Sequence, residues 1–181
     1  MKKILIFVTA IWVAVATFTL KAQESGQVTS QSDISKNVTQ SNQNTQDVII
    51  WADQIILATF TFNFNNFSQV KGVAQYYSKQ AYQSLQEYFR TSHDLEATVQ
   101  HKFVVTSTLP VQSTLVSEGM VNGIYAWNIK IPLKVVFQSE KELIYQYLLI
   151  NAQVVNNAAS GANPSFLIQD ISIKQQMAPF N

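Results

Sequence analysis

The sequence predicts an α+β domain in which N-terminal helices pack on one face of a curved four-stranded antiparallel sheet. Three observations predict it. Helical spacing of apolar residues is confined to the segments between Asp47 and Phe89. Long strand-like runs occur only in the second half, from His101 onward. Within that half, the stretch Gly119 to Phe137 alternates almost strictly from Trp127: Trp127, Ile129, Ile131, Leu133, Val135 and Phe137 share one register, and Asn128, Lys130, Pro132 and Lys134 share the other. One apolar and one wet face is the mark of a sheet packed on one side and solvated on the other. Helices first, then strands joined by short turns, is the order of an α+β meander. Proline cannot donate to a ladder, so Pro132 predicts an edge strand or a bulge at that point.

The N-terminal segments come before the domain. Lys2 and Lys3 precede an uncharged stretch from Ile4 to Leu20, followed by Lys21-Ala22-Gln23-Glu24. A basic start, an apolar run and a small residue read as a secretory signal with cleavage after Ala22. The run is long for a signal and just short of a span, so an uncleaved inner-membrane anchor over residues 4–20 is the alternative. Both readings leave the two lysines in the cytoplasm and export the rest. Residues 1–22 are therefore assigned as signal peptide or anchor. Residues 23–46 are rich in Gln, Ser, Thr and Asn, with only scattered Val28, Ile34 and Val38. Such a segment buries too little to offset its ordering entropy, which predicts a flexible polar linker. As a coil it spans on the order of 25 to 30 Å.

The folded domain is assigned to 47–181. Asp47 is placed to cap a helix running to about Phe60, with Val48, Trp51, Ala52, Ile55 and Ala58 on its buried face. Thr61 to Phe67 alternates and is rich in asparagine, an extended connector. Ser68 can cap a short helix carrying Val70, Val73, Ala74 and Tyr77, weakened by Gly72. Ser78 can cap a third helix with Ala81, Leu85 and Phe89 on one face. Around His93 the spacing predicts a polar loop. Four strands follow: His101 to Thr114, with Phe103, Val105, Leu109 and Val111 on one face; the alternating stretch above; Leu143 to about Asn156, with Ile144, Leu148, Ile150, Ala152 and Val154 in register; and Phe166 to Gln175, with Leu167, Ile171 and Ile173 alternating. Gly119 to Gly123 signals a turn or bulge, Ser139 to Glu142 a charged hairpin tip, and Ala158 to Pro164 a loop.

Composition narrows the chemistry. The 181 residues carry a net charge of +1 and only 13 % charged residues, with no basic face, so nucleic acid is not an expected partner. There is no cysteine, which removes disulfides, thiolate metal sites and a cysteine nucleophile. His93 and His101 are the two histidines, and Asp94 and Glu96 lie near the first, but the spacing is not that of two ligands on one helix face and no third ligand is indicated. Glu140 and Glu142 flank Lys141 at a hairpin tip, the place for a solvated turn rather than an acid pair. No phosphate-binding or nucleophile-elbow motif occurs. Trp51 and Trp127 form either a ligand-stacking pair or part of the core, and core is the commoner fate of large aromatics on apolar faces. Tyr76, Tyr77, Tyr82, Tyr88 and Phe89 are too many to bury on short helices, and exposed aromatics favour interfaces. Tyr76, Tyr82 and Tyr88 are the interaction candidates, with Tyr88 expected off the face made by Ala81, Leu85 and Phe89. No catalytic, cofactor-binding or metal-binding residue is assigned.

Several of these stretches together carry a resemblance. Trp51-Ala52, Thr61-Phe62-Asn63-Phe64 with Phe67, Tyr76-Tyr77-Ser78, and above all Tyr125-x-Trp127-x-Ile129-x-Ile131-Pro132-Leu133 occur in order, with weaker matches at Leu148-Leu149-Ile150, Gln153-Val154-Val155 and Ile168-Gln169. In this the chain, from about Asp47 to Gln175, resembles the IcmL/DotI-like proteins, inner-membrane components of type IVB (Dot/Icm) secretion systems, related to a conjugation-system protein. The resemblance implies a cone-like fold of the nuclear-transport-factor type, as in VirB-type periplasmic domains, with no catalytic residues and no cofactor. It implies a non-catalytic interaction component or accessory subunit whose partners are other secretion-apparatus proteins, with self-association as a further state. The membrane is met only through the N-terminal segment. Full-length members of that family carry a cytoplasmic segment before their span, whereas here only Met1, Lys2 and Lys3 precede the apolar run, as expected of a short exported relative. A periplasmic small-ligand-binding domain is the alternative; a lined cavity inside the cone of roughly 300 Å³ or more would favour it.

Overall fold

In the computed structural model the described residues are 31–157, 165–177 and 180, with the backbone alone described for 31–44 and 67–69. The apolar run at 4–20, Ala22 and the loop Ala158 to Pro164 lie outside them. Three α-helices, α1 (Gln31–Thr59), α2 (Lys79–Ser92) and α3 (Asp94–His101), precede most of a sheet whose strands are β1 (Phe62–Asn63), β2 (Val104–Thr108), β3 (Thr114–Val121), β4 (Ile124–Gln138), β5 (Leu143–Asn156) and β6 (Phe166–Gln176). A 3₁₀ helix, Phe67–Tyr76, joins β1 to α2. The sheet runs β1-β2-β4-β5-β6, with β3 also on β4, and all of these pairs are antiparallel. The helices-on-curled-sheet class is as the sequence predicts; among the described residues the strand count is six rather than four.

The alternating stretch is the centre of the sheet. Trp127, Ile129, Ile131, Leu133, Val135 and Phe137 are all buried, against α1 residues Val48, Ala52, Ile55 and Ile56 and against Leu148, Ile150, Ala152 and Val154 of β5 in one core. Pro132 does not mark an edge. It pairs with Leu149 of β5 on one flank. On the other flank β2 reaches only Lys134 and β3 begins only at Lys130, so the proline occupies the interval neither strand covers. The same interval corrects the first predicted strand: His101 to Thr114 is split into the end of α3, β2, and the start of β3, because one long neighbour would have to hydrogen-bond past Pro132.

Other boundaries differ for local reasons. α1 starts at Gln31, so Gln31 to Gln46 is helical rather than a coil, and Asp47 lies inside the helix rather than at its cap. Nucleation is the costly step of helix formation, and a segment free of Gly and Pro extends a helix already fixed by burial. On its buried face Thr59 replaces Ala58, which is exposed; the Thr59 hydroxyl bonds to the Ile55 carbonyl at 2.7 Å and to the Tyr77 hydroxyl at 2.7 Å. The connector folds as an asparagine turn, in which the Asn63 Oδ1 accepts from the backbone N–H of Asn65 and Asn66. The second predicted helix is 3₁₀, not α, and starts after Asn66 rather than at Ser68. Ser78 caps α2 as expected: its Oγ accepts from the Ala81 N–H at 3.0 Å, and Ala81, Leu85 and Phe89 are buried. The loop expected around His93 is instead a left-handed residue joining α2 directly to α3.

On β5 the predicted register holds from Leu148 to Val154, but Ile144 is exposed and Gln146 is buried in its row. On β6 a register shift opposite Gln153 and Val154 skips Gln169, so Ile168 replaces Leu167 on the buried face while Ile171 stays inside. The Ser139 to Glu142 tip is as predicted, closed by a bond from the Ser139 N–H to the Glu142 carbonyl at 2.9 Å.

Trp127 is 2 % exposed, whereas Asn128 sits on the other face, donating to the Ser117 Oγ and accepting from Gln153. Trp127→Ala should therefore cost about 3 to 5 kcal/mol of unfolding free energy. Asn128→Ala should cost about 1 kcal/mol. Urea unfolding of both variants checks this; equal losses would place the strand in the opposite register.

Candidate interaction surfaces

The interior of the cone is filled. Trp127, Phe60, Phe103, Leu85 and Ile56 are among its fully buried side chains. Phe166 stands between the two tryptophans, 5.6 Å from Trp51 and 6.0 Å from Trp127 between ring centres, so the pair forms no slot for a ligand. One depression, about 440 Å³, is an open trough on α3 lined by Leu95, Glu96, Val99 and Gln100. A second, about 180 Å³, lies on the sheet surface between Asn128, Asn151, Gln153 and Asp170. Neither enters the cone.

Polar groups that reach the core are paired. Among the described residues no buried side-chain nitrogen or oxygen lacks a hydrogen bond. Asp53 on α1 accepts from the Ser113 hydroxyl at 2.6 Å, and burial holds its carboxyl above the usual range despite that bond. Tyr88 donates to Asp94 at 3.0 Å and lies 3.3 Å from the buried Gln146 Oε1. Burial, then the Asp94 charge, pushes the Tyr88 phenol well up, and burial raises Asp94. Tyr77 is raised by burial as well, against the opposing bond to Thr59. The histidines are brought to different carboxylates, His93 to Glu96 at 2.8 Å and His101 to Glu142 at 3.0 Å. Glu140 stands exposed at the hairpin tip. Among the described residues no three potential ligands converge.

The three tyrosines meet different fates. Tyr76 packs edge-on against Trp51, and Tyr82 lies tilted against Tyr77; both are half-buried over the core. Tyr88 is not the free surface residue the helical spacing predicts. Its ring lies 5.9 Å from Phe60 and 5.5 Å from Phe89, and its hydroxyl is tied to α3. The signal for this was the Asp94 following two residues beyond α2, which could be read only once α3 was known to fold back. Exposed apolar side chains gather elsewhere, at the β3–β4 hairpin: Met120, Val121, Ile124 and Tyr125. There Asn122 and Gly123 both have positive φ, the two-residue turn that an Asn-Gly pair favours.

Two outcomes follow. Tyr88→Phe removes the donor serving Asp94 and should cost about 1 to 2 kcal/mol, read as a lower thermal midpoint. Asp53 has a folded pKa above its unfolded value of 3.8, so the stability it contributes is greatest below that value and falls as pH rises through the folded pKa. Between pH 7 and pH 4, wild type should gain stability relative to Asp53→Asn; a parallel pair of stability curves would contradict the burial of this carboxylate.

Comparison with known proteins agrees with this architecture. The periplasmic domain of DotI is 22 % identical, with a TM-score of 0.66 over 71 % of this chain and 94 % of that one. An IcmL-like type IV secretion system protein from Legionella pneumophila is 18 % identical, with a TM-score of 0.65 over 75 % of this chain and 96 % of that one. A periplasmic fragment of TraM is 16 % identical, with a TM-score of 0.67 over 73 % of this chain and 98 % of that one. These likenesses show a shared fold. A search of curated proteins gives no match. The family profile described as type-IV b secretion system, inner-membrane complex component, matches residues 8–175, and the protein thus belongs to the DotI/IcmL family of such components.

Proposed function

We propose that this protein is an exported, non-catalytic interaction component or accessory subunit of a type IVB secretion or conjugation apparatus, working at the inner membrane or in the periplasm. The observation that carries the reading, beside family membership, is the packed core: among the described residues Trp127, Phe60 and Leu85 fill the space under the sheet, where a substrate chamber would otherwise lie. A small-ligand domain would need an interior cavity, and the 440 Å³ trough lies on the surface of α3. The half-buried carboxylates Asp53 and Asp94 are each held by hydroxyl donors, which supports a structural role for them. Partner contact falls to the surface, where Tyr76 and Tyr82 present their open edges while their bodies stay on the core. Rigid aromatics of that kind make efficient anchors. Residues 1–22 direct export or anchor the chain, and the membrane is met through them alone.

The test is made in the native cell. A photo-crosslinking amino acid replacing Tyr82 should trap identified apparatus proteins, and one replacing the buried Leu133 should not. Protease added to intact spheroplasts should digest the domain. Protection of the domain, or cross-links confined to proteins outside the apparatus, would overturn the reading.

A further inference from the structure

The sheet ends at three strands, β1, β3 and β6, whose outer edges differ. β1 is two residues long. The start of β6 is covered by Tyr77 and Ser78: the Ser78 N–H bonds to the Ile168 carbonyl at 2.9 Å and its hydroxyl to the Gln169 carbonyl at 2.8 Å. The rest of β6 carries Asp170 and Lys174, charges of the kind that deter edge pairing. β3 is different. It spans Thr114–Val121 and pairs only with β4, leaving its other side open among the described residues.

The hairpin fixes which groups of β3 face outward. Val121 and Ile124 flank the two-residue turn and form the hydrogen-bonded pair next to it. Pairs then alternate, so Met120 opposite Tyr125 and Glu118 opposite Trp127 are non-hydrogen-bonded pairs. The N–H and C=O of Met120 and Glu118 therefore point away from β4. Their side chains lie on the Trp127 face, where Met120 is 66 % exposed. The bulge near Val116 disrupts the first half of the edge and leaves the Ser117 to Val121 half regular.

We propose that this edge accepts an extended strand from a partner protein, one that alternates apolar residues with a lysine or arginine placed opposite Glu118. The charge argument selects that occupant. Glu118 is exposed and accepts from the neutral Thr45 hydroxyl at 2.7 Å, and the ion pairs among the described residues lie elsewhere. A second copy paired about a two-fold at Glu118 would set carboxylate against carboxylate, which cross-strand neighbours disfavour. A basic residue there gains the opposite-charge pair, and apolar neighbours gain cover from Met120 and Tyr125. The inference rests on the reading of the protein as an interaction component and names the surface it uses.

The probe is the peptide Thr-Val-Thr-Lys-Thr-Val-Thr, titrated into the isotope-labelled protein with amide exchange followed by NMR. The amides of Glu118 and Met120 should become protected on binding. Glu118→Lys should weaken binding about fivefold to tenfold, and a peptide with glutamate in place of its lysine should restore it. Met120→Pro removes an outward donor, which edge strands tolerate, and should abolish binding with the thermal midpoint kept. Lack of protection at these amides, protection at other strands, or a concentration-dependent dimer protecting the same amides without peptide would overturn the proposal. Cross-linking to the apparatus that persists in Met120→Pro would refute the edge while leaving the proposed function standing. Loss of apparatus cross-links in wild type alongside peptide protection would do the reverse.

Discussion

The burial of one face of β4 is the constraint on which the rest of this protein depends. Trp127, Ile129, Ile131, Leu133, Val135 and Phe137 form a continuous row of buried side chains along a single strand. Each fully buried side chain of that size contributes on the order of 1.5 to 3 kcal/mol, so the row outweighs any single polar contact described above. It also sets geometry. β4 pairs with β2, β3 and β5, and a slip of one residue would turn the whole row to solvent and break all three ladders together. α1 then has one place to lie, across that row, and its buried residues Val48, Ala52, Ile55 and Ile56 follow the helical spacing that such a site requires.

What was legible in the sequence is what this row dictates. Near-strict alternation over eleven residues reads as a half-buried strand, and the apolar rows on α2 and β5 were legible from their own spacing. What was not legible depends on events between elements. The shift at Gln169 exchanges Leu167 for Ile168 on β6, yet both are apolar, so alternation alone favoured the wrong one. Pro132 read as an edge because a lone strand shows no sign of a gap between its neighbours. β2 and β3 read as one strand for the same reason. The true turn signal, Asn122-Gly123, was overshadowed by the wider Gly119 to Gly123 interval.

The helical extension from Gln31 to Gln46 changes how the domain is carried. A coil of the assigned linker would set a mean distance from the preceding segment and no direction. As helix, Gln31 to Gln46 adds about 24 Å of rod in line with the core portion of α1. Its contact point is defined: Thr45 accepts from the Trp127 indole at 3.4 Å and donates to Glu118. The helix thus passes beside the β3–β4 hairpin, in contact with the central strand at Thr45.

Function was less legible than fold for a physical reason. A catalytic site announces itself through carboxylates, histidines or metal ligands in fixed relation, and burial then perturbs them. Here Asp53, Tyr77, Tyr88 and Asp94 are raised first by burial, and each is hydrogen-bonded to another element: Asp53 of α1 to Ser113 between β2 and β3, Tyr77 after the 3₁₀ helix to Thr59 of α1, and Tyr88 of α2 to Asp94 of α3. They are joints. Tyr88 illustrates the difference, since its position on the helix wheel suggested a free anchor, and only the return of α3 brought Asp94 to its hydroxyl. A binding surface needs no unusual chemistry, only exposed backbone or apolar side chains that the core does not claim. In this chain such side chains are left over at the β3–β4 hairpin and also at the start of β5, where Leu143, Ile144 and Tyr145 are exposed.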